Sequence, residues 1–385
     1  MSRIAILTPG GVSEKNKGVK IPRLYNLVSL LSERFEITVY VLVTEGAEDT
    51  ESFCGNAKVK VLRACYNDHW FKRLWQYVSS VLRDQRSHRF ELVHGMFGLN
   101  AEFATVLLGK VLKLPTLVSL FGGETASIPT IQYGTLLHPL HRRLFSWVVT
   151  NATDLMVQTE FQVRQLRHHR ITRDKIHVIP CGVDTTLFTP QGREDRLMAP
   201  YRLLHVANLL EVKDQVTLLK AFATISRSED CILRIIGADY LNGKIQNVAR
   251  ALGIADRVEF LGWIEHSKLP EHYRWAHILL HTSLHESQAM VVAEAAACKT
   301  VVCGTRVGLL HDFGETKAVV VPTGDHEALA TGVLRLIRNP REYAELQQRA
   351  YEWALHYDLT WTAGAYEQLY RTMLSTYLSS SKYAS

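Results

Sequence analysis

At 385 residues, 47% of them apolar, the chain is long enough for two domains with proper cores, on the rough measure of 100–200 residues per domain. The net charge of +6 sits in the front half, because residues 1–190 hold 23 Lys and Arg against 16 Asp and Glu while the remainder holds 21 against 22. No stretch approaches the roughly 18 uncharged apolar residues of a transmembrane helix, and MSRIAILTPGG runs into strand-like sequence without a signal-peptide core, so a cytosolic protein is expected.

In chain order, RIAILTP reads as a short strand ending at Gly10-Gly11, RLYNLVSLLSERF as a helix and EITVYVLV as the next strand, a βαβ opening. Trp70 to Phe90 mixes aromatic residues with Lys72, Arg73, Arg83, Arg86 and Arg89, a composition suited to an anionic membrane surface, although an ordinary amphipathic helix with a solvated basic face is the plainer account. ELVHG, AEFATVLLGKVLKL and PTLVSLFGGE repeat the strand, helix, strand rhythm, and DLMVQT and KIHVIPCGVD add two short strands. A polar stretch with Pro and Gly follows, the most plausible linker. YRLLHVAN then restarts the alternation, which runs through CILRIIG, RVEFLGW, HILLHTS and TVVCGT with helices between. Such alternation predicts parallel sheets covered by helices, in two similar α/β domains. The expected division is 1–190, 200–360 and a terminal helix, 361–385, packing back on the first domain. Cys54, Cys65, Cys181, Cys231, Cys298 and Cys303 lie without CxxC pairing, several in apolar runs, and read as reduced, buried thiols.

Glu286 and Glu294 stand eight positions apart where the apolar strand HILLHTS gives way to an apolar helix. If the helix starts near Ala289, Glu294 lies little more than a turn inside it and Glu286 waits in the preceding loop, so both can face one ligand. The N-terminus of such a helix, at the carboxyl end of a strand, attracts anions. A carboxylate on each side of it can bind sugar hydroxyls beside a phosphate; a solvated Glu286 and a Glu294 that merely favours the first helical turn is the plainer account.

Several short motifs in order make nearly the whole chain resemble retaining glycosyltransferase family 4, whose GT-B fold sets two Rossmann-like domains facing a central cleft. They are Pro9-Gly10-Gly11, LPTLVSLFGGE, VIPCGVDTTLF, HVANLLEVKD with Lys213 at the family's spacing, and ESQAMVVAE followed by GTRVG. The resemblance implies a nucleotide-diphosphate sugar as donor, with Glu294 on the ribose, Glu286 on the sugar, and the backbone of Ser287, Gln288, Ala289 and Met290 along the hexose and phosphates. Nucleobase contacts are expected near Gly237 and Trp263. The leaving diphosphate must be neutralised in a water-poor site. No DxD-type carboxylate pair stands at a strand end, so no metal or other cofactor is expected; Lys213, the Gly10-Gly11 backbone and the helix N-terminus are expected to do that work. In such enzymes the departing phosphate itself helps to deprotonate the acceptor, and no protein nucleophile is required.

Three departures stand against the pattern. Asn208 occupies the place of the usual diphosphate Arg and carries no charge, as in a branch of the family with a VKDQ segment like Val212 to Gln215. Arg306, or Lys15, Lys17 or Lys20, can supply the missing cation. Phe121 replaces the frequent His before Gly122, and His94 is the nearest substitute by motif position. Leu309 takes the place of the second Gly of the family's Val-Gly-Gly. Glu124 and Lys20 are candidates for acceptor or sugar contacts. The expected activity is transfer to a glycan, lipid-linked or small-molecule acceptor, at the inner face of the cytoplasmic membrane if the basic aromatic stretch docks there. The alternative is a catalytically weakened nucleotide-sugar-binding protein of the same fold. A dehydrogenase needs GxGxxG, which TPGGVSEKNKG lacks, and no nucleic-acid motif accompanies the basic charge.

Overall fold

A computed structural model describes residues 1–12, 21–43, 51–63, 69–193 and 197–382. These form two compact units, one running over Met1–Cys181 and resuming at Leu359, the other Gly182–Asp358. Lys15, Lys17, Lys20 and Cys65 lie outside the described residues.

The first unit contains, in order, β1 (Arg3–Thr8), α1 (Pro22–Ser32), β2 (Glu36–Val43), β3 (Glu51–Cys54), β4 (Ala57–Arg63), α2 (Trp70–His88), β5 (Leu92–Met96), α3 (Leu99–Leu112), β6 (Thr116–Leu120), α4 (Pro139–Asn151), β7 (Asp154–Val157), α5 (Glu160–His168) and β8 (Ile176–Val178). Its sheet has the order β3-β4-β2-β1-β5-β6-β7-β8, parallel except for the β3–β4 hairpin. Ile4 to Leu7 are buried without alternation, as a strand covered on both faces must be. Ile4 and Ile6 pack with α1, and Ala5 and Leu7 with α2 and α3 on the opposite face. Pro22 opens α1, where its missing N–H costs nothing, and Leu24, Leu27, Val28 and Leu31 recur at helical spacing and are buried. Leu27→Ala there would cost about 2–5 kcal/mol.

The second unit contains β9 (Tyr201–Val206), α6 (Gln215–Ser228), β10 (Cys231–Ile236), α7 (Lys244–Ala251), β11 (Val258–Gly262), α8 (Leu269–Trp275), β12 (Ile278–His281), α9 (Met290–Ala297), β13 (Val301–Thr305), α10 (Leu309–Lys317), β14 (Val319–Val321), α11 (His326–Arg338) and α12 (Pro340–His356). Its six strands are all parallel, in the order β11-β10-β9-β12-β13-β14. The last helix, α13 (Leu359–Lys382), belongs to the first unit, where Ala363, Tyr366, Tyr370 and Met373 join the cluster built on α1.

The stretch read as a linker is folded onto the second unit. Val183 and Phe188 are buried in its core, and Arg193 donates to the carbonyls of Tyr273, Arg274 and Ala276. The cysteines at 54, 181, 231, 298 and 303 are buried thiols.

Strand order fixes where ligands can bind. In the second unit the chain runs outward from β9 through β10 to β11, then returns to β12 on the other side, so the switch point lies between the carboxyl ends of β9 and β12. In the first unit the same reversal falls between β1 and β5.

Candidate functional site

At the second unit's switch point, two loops are tied together by their backbones. The loop after β9 makes a single 3-10 turn over Glu211–Lys213 and passes through Asp214, whose φ of 47° and side-chain acceptance of the Thr217 N–H start α6. The loop after β12 answers it: Leu284 N–H donates to Val212 O at 2.8 Å, and Thr282 Oγ1 donates to Lys213 O at 3.0 Å. These bonds set the Lys213 side chain over Glu286, with Nζ 2.5 Å from Oε1. The same Oε1 accepts from Ser283 Oγ at 2.7 Å. His281 Nε2 stands 3.5 Å from it, too far for a normal N–H···O bond and close enough to act on its charge. Burial pushes the Glu286 carboxyl up, but the Lys213 ammonium, with His281 and the hydrogen bonds, outweighs burial and holds it well below the usual carboxylate range.

Ala289 has φ of 74°, an uncommon left-handed turn for alanine, and it directs the chain into α9. The first N–H groups of α9 therefore border the same hollow, about 220 Å³, which is lined by Asn208, Leu210, Lys213, His281, Glu286, Ala289, Met290 and Val291 together with Val206 and Ala207. Pockets for whole drug-sized ligands run to roughly 300–1,000 Å³, so this one suits the phosphate and sugar part of a larger molecule. Two glycines allow the loops to approach. A Cβ on Gly308, whose φ is 53°, would stand 2.6 Å from Gln288 O and 2.9 Å from Glu286 Cβ; one on Gly237 would stand 2.0 Å from Ala207 O. Gly308 thus serves the carboxylate loop, and Leu309 keeps its own tie to it through an N–H bond to Gln288 O at 2.7 Å.

The expected donor residues divide accordingly. Asn208, Lys213, Glu286, Ala289 and Met290 border one hollow. Asn208 Oδ1 accepts from Ala238 N–H at 3.0 Å, so what its amide offers the hollow is its N–H donors. Ser287 and Gln288 are buried in the loop between. Glu294 is one turn deeper in α9, 5% exposed, with Oε1 3.0 Å from His266 Nε2 and Oε2 accepting from Tyr273 OH at 2.7 Å. Burial lowers the His266 imidazole's affinity for a proton and Glu294 more than restores it, leaving the ring above its ordinary 6.5. Arg306 pairs with Glu315 at 3.0 Å. Gly237 N–H donates to Gly262 O at 2.8 Å, which brings the exposed Trp263 to the carboxyl ends of β10 and β11.

Gly10 and Gly11 lie in the first unit at the end of β1, where Gly10 O accepts from Thr8 Oγ1 and Gly11 O from Ile21 N–H. At that unit's switch point is a second hollow, about 490 Å³, lined by Pro9, Phe97, Gly98, Gly122, Gly123, Glu124, Tyr133, Gly134 and Thr135. Glu124 accepts from Gly98 N–H at 3.1 Å and Gly122 N–H at 2.6 Å; burial still raises its carboxyl, and burial together with the Glu124 charge raises that of the neighbouring Glu102. Phe121 stacks on Phe97 with centroids 4.8 Å apart, under the Arg23 guanidinium.

His94 is corrected by its placement. It is fully buried, with Nδ1 2.6 Å from Tyr370 OH and Nε2 2.7 Å from Ser119 Oγ, and burial drives its pKa down to about 3. Both nitrogens are committed inside the core, so it does not replace the imidazole missing at Phe121. Sequence reasoning missed His281, Ser283, His266, Tyr273 and Glu102. The first two sit within HILLHTS, where a strand reading hides them, and only their distance of three and five residues from Glu286 offered a signal. Among the described residues no group of three or more His, Cys, Asp or Glu stands together as a metal site would require.

Comparison with known proteins agrees with both units. The family described as "Glycosyl transferases group 1" matches residues 193–353, and "Glycosyltransferase Family 4" matches residues 23–187. A D-inositol 3-phosphate glycosyltransferase of Nocardiopsis dassonvillei is 29% identical over 294 residues, covering 71% of this chain and 66% of its own length. An MMP alpha-(1->4)-mannosyltransferase of Mycolicibacterium hassiacum is 29% identical over 181 residues, 46% of this chain and 43% of its own. Among solved structures, sucrose-phosphate synthase from Thermosynechococcus elongatus superposes with a TM-score of 0.82 at 19% identity, covering 98% of this chain and 100% of that one. Anabaena Alr3699/HepE, in complex with UDP and glucose, superposes with 0.73 at 15% identity, covering 97% and 100%.

Proposed function

We propose that the chain is a glycosyltransferase of the family 4 type and that it moves a sugar, with retention and without a metal, from a nucleotide diphosphate to a glycan, lipid-linked or small-molecule acceptor; the two family matches and the GT-B fold support this reading. The observation that carries this reading is the Lys213–Glu286 pair at the β9/β12 switch point, beside the first N–H groups of α9. A nucleoside diphosphate there meets one mobile ammonium and a helix N-terminus, and its sugar meets a carboxylate held ionised. Asn208 adds neutral donors where an arginine would add charge. With no carboxylate placed as nucleophile in that hollow besides Glu286, the departing phosphate is the base that takes the acceptor proton.

Glu124 at the floor of the first unit's hollow suits acceptor hydroxyls: a carboxylate has about four lone-pair sites, and the backbone N–H groups of Gly98, Gly122 and Glu124 itself take three. The acceptor reaches that hollow at an anionic membrane on the cytoplasmic side. On α2, Phe71 and Trp75 are 76% and 65% exposed one turn apart, with exposed Lys72, Arg83 and Arg86 alongside. Among the described residues no helix is long and apolar enough to cross a membrane.

The test is a thermal-shift screen against UDP, GDP and ADP sugars, followed by an assay of nucleoside diphosphate release with excess acceptor. Release that depends on acceptor supports transfer; binding without release across candidate acceptors supports the weakened binder, which the uncharged Asn208 favours.

A further inference from the structure

Glu286 Oε1 has two lone pairs, and in this structure Lys213 Nζ at 2.5 Å and Ser283 Oγ at 2.7 Å take both. A third donor waits behind them. His281 is 2% exposed, its Nε2 has no hydrogen-bond partner among the described residues, and that same oxygen, an acceptor, lies 3.5 Å from it. An unpaired polar group so deeply buried is destabilising, and the shortfall from a normal bond length is only about 0.5 Å.

The ammonium cannot serve two anions at full strength. Its backbone is pinned by Thr282 and its side chain is a flexible four-carbon stem, so on arrival of a diphosphate the part that moves is Nζ. Its departure vacates one lone pair on a buried carboxylate, at the moment that carboxylate must stay ionised and oriented toward the sugar. We propose that His281 is a positioning residue that replaces Lys213 on Glu286 when the ammonium transfers to the donor's diphosphate. The exchange keeps one N–H donor on Oε1 throughout and leaves Oε2 for the sugar. It requires the tautomer with hydrogen on Nε2.

This inference rests on the nucleotide-sugar reading, and its test separates the two. Histidine side chains are labelled with ¹⁵N, and the His281 signal is identified by its loss in His281→Gln. Wild-type protein is then titrated with UDP, and with GDP and ADP as further probes. The Nε2 resonance is expected to shift on saturation toward the position it holds in ligand-free Lys213→Met, where the lone pair is already vacant. His281→Phe is expected to lower kcat at least tenfold with the Kd for UDP, GDP or ADP within twofold of wild type, and His281→Gln, which keeps a donor, to recover part of that loss. A saturated wild type with an unmoved His281 signal overturns the exchange and leaves the donor reading intact. Failure of UDP, GDP and ADP alike to bind overturns the reading, and the exchange with it. Should His281→Phe fail to fold, the titration and His281→Gln still decide.

Discussion

Removing the Lys213 ammonium separates its two tasks. Lys213→Ala deletes the one Lys or Arg bordering the hollow among the described residues, and loss of a single charge-stabilising donor elsewhere costs roughly 2.7–4 kcal/mol at the transition state, a factor of about 10²–10³ in kcat. It also strands Glu286, whose side chain is only 13% exposed. Leaving a buried group short of a partner costs about 1–3 kcal/mol of folding stability, toward the lower end because Ser283 still donates and His281 is near. The sign of the pH effect follows. Glu286 is held below its usual range, so its contribution to stability is present above the unfolded carboxyl pKa and is lost as pH falls through the lower folded value. Without Lys213 the burial that raises this carboxyl acts with less opposition, so both the acid limb of kcat/KM and the acid edge of stability move to higher pH. Lys213→Ala/Glu286→Gln removes the stranded charge and is expected to regain the lost stability without regaining turnover. Stopped assays of nucleoside diphosphate release across pH, with urea denaturation alongside, measure all of this. Near-normal turnover in Lys213→Ala, or recovery of turnover in the double variant, would refute the assignment.

Glu294→Gln is expected to weaken nucleoside diphosphate affinity itself, read by calorimetry; a defect confined to sugar recognition would contradict the ribose assignment. The same change should flatten a pH dependence: the raised His266 contributes stability below about pH 6.5 that is lost as pH rises through its folded value, so denaturation midpoints at acidic and basic pH should converge in the variant. Activity is expected to survive EDTA, and strict dependence on Mg²⁺ or Mn²⁺ would overturn the electrostatic scheme. Gly308→Ala should lower kcat/KM about tenfold or more, because its methyl group meets Gln288 O and Glu286 Cβ; unchanged kinetics would show the loop yielding freely. Replacing Phe71 and Trp75 by Ser should abolish co-sedimentation with phosphatidylglycerol vesicles while leaving transfer to a soluble acceptor intact, and equal binding to phosphatidylcholine vesicles would reject the anionic-surface reading.

The parallel sheets were legible because their strands are apolar on both faces, so EITVYVLV and TVVCGT needed no alternation to be recognised. The β3–β4 hairpin escaped notice although Gly55-Asn56, between paired Cys54 and Ala57, is a two-residue turn of the usual chemistry. The nearness of Lys213 and Glu286, 73 residues apart in sequence, came from motif order; periodicity alone says nothing about two loops at opposite sides of a switch point. His94 misled for the opposite reason. A strand-end histidine looks available in sequence, and only the return of α13 brings Tyr370 to its Nδ1. Glu294's partners were hidden likewise, because His266 and Tyr273 belong to a polar turn and a short helix that no pattern ties to α9.

Asn208 gives the ion pair a meaning beyond its strength. With an arginine at that place, the hollow would present a cation whether or not Lys213 was engaged. With asparagine, the one ammonium among the described residues bordering the hollow is already matched by one carboxylate, so the pair brings no net charge. A diphosphate must therefore compete with Glu286 for Lys213, at an effective dielectric far below that of water, where both attractions are several kcal/mol and their difference is small. What tips the balance is a replacement donor for Glu286. A sugar hydroxyl on the intact donor supplies one, whereas a bare nucleoside diphosphate brings none; His281 holds Oε1 in place in both cases. On that proposal sugar and phosphate recognition are coupled through a single carboxylate, and an uncharged residue at 208 makes the site answer to the intact donor more than to its own product.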